Sequence, residues 1–152
     1  MTNNDVLRRI RYIFDLSDDQ VMKMCALGGA EVSRTQMSDW LKKEDHPEFL
    51  RITDQQLATF LNGFITSKRG KKDGPQPQPE KHLTNNLILR KLKIALNLRN
   101  EEMLTVFAQA DRDLSPHELS AFFRKPNHAK YRPCKDQYLR NFLVGLQAIY
   151  RE

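Results

Sequence analysis

Apolar residues recur at helical spacing from the start of the chain. Val6, Leu7, Ile10, Ile13 and Phe14 form an i, i+3/i+4, i+7 stripe, the pattern that turns one face of an α-helix toward a core. Ser17-x-x-Gln20 is a capping box, and it opens a second helix carrying Val21, Met24 and Cys25 before Gly28-Gly29 stops it. Ser33-x-x-Gln36 opens a third helix that presents Met37, Trp40 and Leu41. A loop containing His46-Pro47 leads to a fourth helix with Leu57, Phe60, Leu61 and Phe64 on one face. Asp54-Gln55 opens it, where an acid faces the positive end of the helix dipole. No period-two alternation competes, so the pattern predicts an all-α protein.

Eighty-two residues further on, the pattern returns without a gap, so that residues 3–70 and 85–152 are one domain written twice. Asn3-Asn4 falls on Asn85-Asn86, Ser33 on Ser115, His46 on His128, and Asp54-Gln55-x-Leu57 on Asp136-Gln137-x-Leu139. The second set of apolar stripes is Ile88, Leu89, Leu92, Ala95 and Leu96; then Leu119, Phe122 and Phe123; then Leu139, Phe142, Leu143 and Leu146. Ser115-Pro116-His117-Glu118 is a stronger helix start than its twin, with proline in the first turn and glutamate reaching back. Gly63 and Gly145 interrupt the fourth helix at the same place. Glycine inside a helix costs roughly 1 kcal/mol relative to alanine. A cost kept in both copies implies that another helix passes too close there for a Cβ.

The chain thus divides into copy one (1–70), a Pro-rich linker (71–82) and copy two (83–152). Pro75, Pro77 and Pro79 alternate with polar residues, which favours an extended polyproline tether rising ~3.1 Å per residue. A unit of this size buries only around 60% of its unfolded surface and is marginal alone. The fold expected is therefore two repeated four-helix domains that dock as an internal pseudo-dimer, joined by the tether.

Composition limits the rest. The chain is 39% hydrophobic and 29% charged, which fits a soluble globular protein. Thr2-Asn3-Asn4-Asp5 is not the start of a secretory signal, and no window approaches the ~18 apolar residues of a membrane span. Cys25 falls on Phe107 and Cys134 on Ile52, so the two cysteines read as small buried hydrophobes. A disulfide framework or a Cys-ligated metal is not expected, and a reducing cytoplasm fits. Charge separates the copies. Residues 1–70 hold ten basic and ten acidic side chains, the linker three and two, and residues 83–152 twelve and seven, so most of the net +6 belongs to copy two.

The pattern Asn-Asn-x-x-Leu-Arg…Ala-Leu-Gly…Ser…Trp-Leu-Lys-Lys-Glu-Asp…Asp-Gln…Phe-Leu-Asn-Gly, repeated across a Pro-rich tether, resembles the bacterial YehS-like proteins, a small family classed as a domain of unknown function. The resemblance covers essentially the whole chain. It implies a small cytoplasmic bacterial protein built from tandem helical domains, and it brings no established activity, cofactor or catalytic residue.

The strongest candidate for function is the loop after the third helix of copy two. It contains Arg124, Lys125, Lys130, Arg132 and Lys135, together with His128 and Tyr131, and no acid lies between Glu118 and Asp136. Cations interleaved with an aromatic ring suit phosphate contact and base stacking. The same stretch of copy one, from Lys42 to Arg51, interleaves acids with its bases. The ordinary alternative is that Tyr131 and Phe49 are aligned aromatics that plug the core, with the charges merely solvated. Lys71 and Lys72 head the tether and could extend a phosphate track, or simply solvate it.

A helix-turn-helix made of the second and third helices is disfavoured, because the turn from Gly28 to Ser33 is too long and its twin carries Asp111 and Asp113. His46 and His128 fall at matching positions, and a single matched histidine in each copy is too few for a metal site, so a loop-fixing role is expected of each. Arg8 and Arg90 predict a repeated structural contact, with the Asp54 and Asp136 carboxylates as partners. No phosphate loop, nucleotide fingerprint or nucleophile–base arrangement occurs, which argues against an enzyme. The reading reached is a non-enzymatic binding protein without cofactor or metal. Its basic second copy contacts RNA or single-stranded nucleic acid; the alternative is an adaptor whose same loop meets an acidic protein.

Overall fold

Six of the eight helices among the described residues begin where a serine or threonine side chain accepts from a first-turn backbone N–H. Thr2 Oγ1 accepts from Asp5 N at 3.1 Å while Asp5 Oδ2 accepts from Thr2 N at 2.9 Å, and α1 runs Asn3–Ile13 from that box. The asparagine pair thus opens the first helical turn. Ser17 and Gln20 box the start of α2 (Asp18–Leu27), Ser33 caps α3 (Arg34–Trp40), and Thr53 and Gln56 box α4 (Asp54–Arg69). The computed structural model describes residues 1–151, and the repeat supplies α5 (Asn85–Ala95), α6 (Asn100–Gln109), α7 (Pro116–Phe122) and α8 (Asp136–Tyr150). Among the described residues there are eight helices and no strand.

The chain forms two units, the first Met1–Leu83 and the second beginning at Thr84. In the first, Leu7, Ile10, Met37, Trp40, Phe60 and Phe64 are fully buried; in the second, Leu89, Leu92, Phe107, Phe122, Phe142 and Leu146 are. Phe14 and Leu96, read as core, lie half-buried at helix ends, where Phe14 closes on Phe64 with ring centroids 5.3 Å apart. Both cysteines are buried, and burial pushes the Cys25 thiol up to about 11 and the Cys134 thiol to about 12. Neither is a reactive thiolate near neutral pH.

The repeated glycine is a contact between backbones. A Cβ on Gly63 would lie 1.6 Å from the Met24 carbonyl oxygen of α2, and one on Gly145 would lie 1.9 Å from that of Val106 on α6. Gly28 meets α4 in the same way, 1.9 Å from the Thr59 carbonyl oxygen.

The asparagine pair explains why the long loop before α4 or α8 has one shape in both units. Asn4, 2% exposed, donates from Nδ2 to the carbonyls of Trp40 (3.0 Å) and Leu50 (2.9 Å) and accepts from Ile52 N (3.0 Å). Asn86 repeats this with Phe122 (3.0 Å), Arg132 (2.9 Å) and Cys134 (2.8 Å). Asn3 and Asn85 reach two residues further, to the carboxylates of Asp54 (2.8 Å) and Asp136 (2.7 Å). Arg8 and Arg90 do make a repeated contact, but with the carbonyls of Lys42 and Phe123, not with those carboxylates. The arginines thus close the end of the third helix of each unit.

Asp54 also anchors the tether, since its Oδ2 accepts from Leu83 N at 2.9 Å, and residues 76–79 line a groove of about 620 Å³ with the end of α2 and the start of α4. The Asn3 amide and the Leu83 N–H hold the Asp54 carboxyl below the usual carboxylate range. A depressed folded value gives stability that is present above the ordinary carboxylate range and is lost as pH falls through it. The melting temperature should therefore drop on acidification from about pH 5 to about pH 2. Asp54→Asn, which cannot titrate, should drop less steeply in the same series.

Candidate functional site

The basic loop of copy two is a hydrogen-bonded turn. His128 N donates to the Lys125 carbonyl at 2.9 Å, Tyr131 N to the His128 carbonyl at 3.0 Å and Arg132 N to the Ala121 carbonyl at 3.1 Å. His128 Nδ1 accepts from Lys130 N at 3.0 Å, and His46 does the same for Glu48 N, so each histidine fixes its loop as expected. With Nδ1 used as an acceptor, the remaining ring proton of His128 sits on Nε2.

Beside this turn is a groove of about 670 Å³ between the end of α5, the start of α6 and the end of α7. Five of its lining residues are Arg90, Lys93, Arg124, Lys125 and His128; Ile94, Phe123, Asn100 and Ser120 complete it. The lining contains no carboxylate. The Arg90 guanidinium carbon lies 5.8 Å from the centre of the Phe123 ring and Lys93 Nζ 5.9 Å from it, both within cation–π range. Ile94 leaves 47% of its surface in solvent.

Of the eight residues expected from sequence to contact nucleic acid, Arg124 and Lys125 line this groove, and His128 of the same loop lines it with them. Lys130 and Lys135 are exposed elsewhere on the loop, and Tyr131 is half-buried, neither plugging the core nor standing free. Arg132 turns to Glu118, with Nη1 3.7 Å from Oε2, and lies 6.0 Å from the Tyr138 ring centre. Lys71 and Lys72 are exposed in the tether of the first unit. Reading the loop alone missed Arg90, Lys93, Asn100 and Phe123, which other elements bring to it.

A charge-by-charge alignment of the two copies points to Arg90, Lys93 and Asn100. In copy one Arg11 pairs with Asp18 at 2.7 Å, Lys42 with Asp39 at 2.7 Å, and Arg8 with Asp5 at 3.5 Å. The cations persist in copy two as Lys93, Arg124 and Arg90, while the three acids become Asn100, Ala121 and Leu87. Among the described residues, Lys93, Arg124 and Lys125 have no carboxylate partner. The groove can therefore attract and orient an anion. Among the described residues there is no cluster of three or more His, Cys, Asp or Glu that could hold a metal, and no helix is long and apolar enough to cross a membrane.

No solved structure matches the chain. The Uncharacterized protein YehS of Escherichia coli (strain K12) is 40% identical over 149 residues, covering 97% of this chain and 96% of that protein. A family model described as "Protein of unknown function (DUF1456)" matches residues 3–70 and again residues 85–152, the boundaries of the internal repeat. The chain belongs to that family, as two tandem copies of its domain.

Proposed function

We propose that the second copy binds single-stranded nucleic acid, RNA in particular, through the groove beside its basic loop. One observation carries the reading: at three positions where copy one places an acid against a groove cation, copy two places none. Unpaired cations around an aromatic ring combine phosphate attraction with a stacking face, the two contacts that single strands use. An acidic peptide would use the charge but not the ring, which is why nucleic acid is preferred over an acidic protein partner. The groove lies between short helices and presents no extended helix for the major groove of a duplex.

The test is a fluorescence-anisotropy titration of a labelled single-stranded RNA of about 20 nucleotides with the full chain, in salt from about 50 to 300 mM. Each phosphate neutralised contributes a slope of about −0.7 to log affinity against log salt, so four groove cations give about −3. Arg124→Ala with Lys125→Ala should weaken binding at least tenfold and flatten the slope by about 1.4. Binding that ignores both salt and the double variant would refute the proposal. Displacement by oligoglutamate at the same charge concentration as RNA would point instead to an acidic protein.

A further inference from the structure

Building on that reading, we infer that the groove of copy two is a seat for one unstacked nucleotide, with the base against Phe123 and Ile94 and its phosphate among Arg90, Lys93, Arg124 and Lys125. Three features go beyond a charged surface. A phosphate polymer held by charge needs only exposed cations, whereas this site is a concavity of about 670 Å³, a size that fits a small molecule. Its lining mixes cations with apolar Phe123 and the half-exposed Ile94, so a flat apolar group is accommodated beside an anion. Asn100 and Ser120 add an amide and a hydroxyl, groups that hydrogen-bond base edges or sugar hydroxyls.

The apolar part of the seat is particular to copy two, as the cations' freedom is. Phe123 stands where copy one has Leu41, and Ile94 where it has Tyr12. Phe123 immediately follows α7, and its carbonyl accepts from Arg90 Nη2 at 2.6 Å. The guanidinium over the ring is therefore held there by the same residue's carbonyl, and a base reaching Phe123 would meet a cation already in place for its phosphate. A base inside a duplex cannot enter such a seat without being unpaired, so the groove selects single strands.

The experiment titrates the ¹⁵N-labelled full chain separately with uridine or adenosine 5′-monophosphate, ribose 5-phosphate and inorganic phosphate, following amide shifts. The nucleotides should shift residues 93–100 and 120–128 and bind at least tenfold tighter than ribose 5-phosphate. Phe123→Leu, which restores the copy-one residue, should remove that preference and leave the salt slope for RNA within about half a unit of the parent. Equal affinity for nucleotide and ribose phosphate, or shifts confined to other residues, would overturn the seat. RNA binding can survive that result, in which case only the seat fails. Absence of RNA binding in the anisotropy titration overturns the proposed function separately.

Discussion

Gly63→Ala should unfold the first unit under conditions where the parent protein is folded. The added methyl would sit 1.6 Å from the Met24 carbonyl oxygen and 2.5 Å from its carbon, and both atoms belong to backbone. That carbonyl cannot swing aside freely, because it accepts the closing hydrogen bond of α2 from Gly28 N at 2.9 Å. α2 and α4 must therefore separate along their whole contact. Overpacking of this kind usually costs about 1–3 kcal/mol, and a clash with main chain on both sides puts the expected loss at about 3–5 kcal/mol. The better helix propensity of alanine returns only about 1 kcal/mol. Against a total stability of about 5–15 kcal/mol this is decisive for a small unit. Trp40, the single tryptophan, is buried in the first unit, so its fluorescence during urea unfolding reads this loss directly. An unchanged midpoint would mean that the helices do not approach as described. Gly145→Ala should do the same to the second unit, where Trp40 is absent and circular dichroism reports instead.

Asn86→Ala comes next in size. Its side chain closes three hydrogen bonds on the loop from Phe122 to Cys134, and the residue is 7% exposed. Removing it leaves the Cys134 N–H and two carbonyls without their partner. Each buried group so stranded costs about 1–3 kcal/mol, which gives about 3–5 kcal/mol after water reaches some of them. Asn86→Asp should be at least as damaging, because a carboxylate would face two carbonyl oxygens. The loop carries Arg124, Lys125 and His128, so the proposed function adds a milder loss of RNA affinity to the loss of stability. A thermal melt of the alanine variant within about 1 kcal/mol of the parent would remove the asparagine from its assigned role.

Much of the fold was legible because local chemistry and periodicity agree in it. Ser17, Ser33 and Ser115 cap the helices they were expected to open, and the shared glycine lies at a helix crossing. The asparagine clamp was not legible, since its partners are backbone groups 36 to 48 residues away and leave no side-chain signal. The arginine partner was misread for the same reason: Arg8 and Arg90 bond to carbonyls, which every residue has. The site was half legible. Arg124 and Lys125 announce themselves in a run of basic residues, but Arg90 and Lys93 lie on a helix whose other side builds the core, and only the folded turn joins them. Arg132 belongs to the same run, yet Glu118 and Tyr138 draw it elsewhere.

Copy one is a built-in control for the central claim, because it holds equivalent groove cations with acids beside them. Placing those acids in copy two, as Leu87→Asp, Asn100→Asp and Ala121→Asp together, leaves every cation in place. The decisive measurement is the salt dependence of single-stranded RNA affinity for this triple variant beside the parent, with melts confirming that both are folded. The account predicts at least a thirtyfold loss of affinity near 100 mM salt and a slope falling from about −3 toward −1. A folded triple variant that binds with the parent's affinity and slope would contradict it.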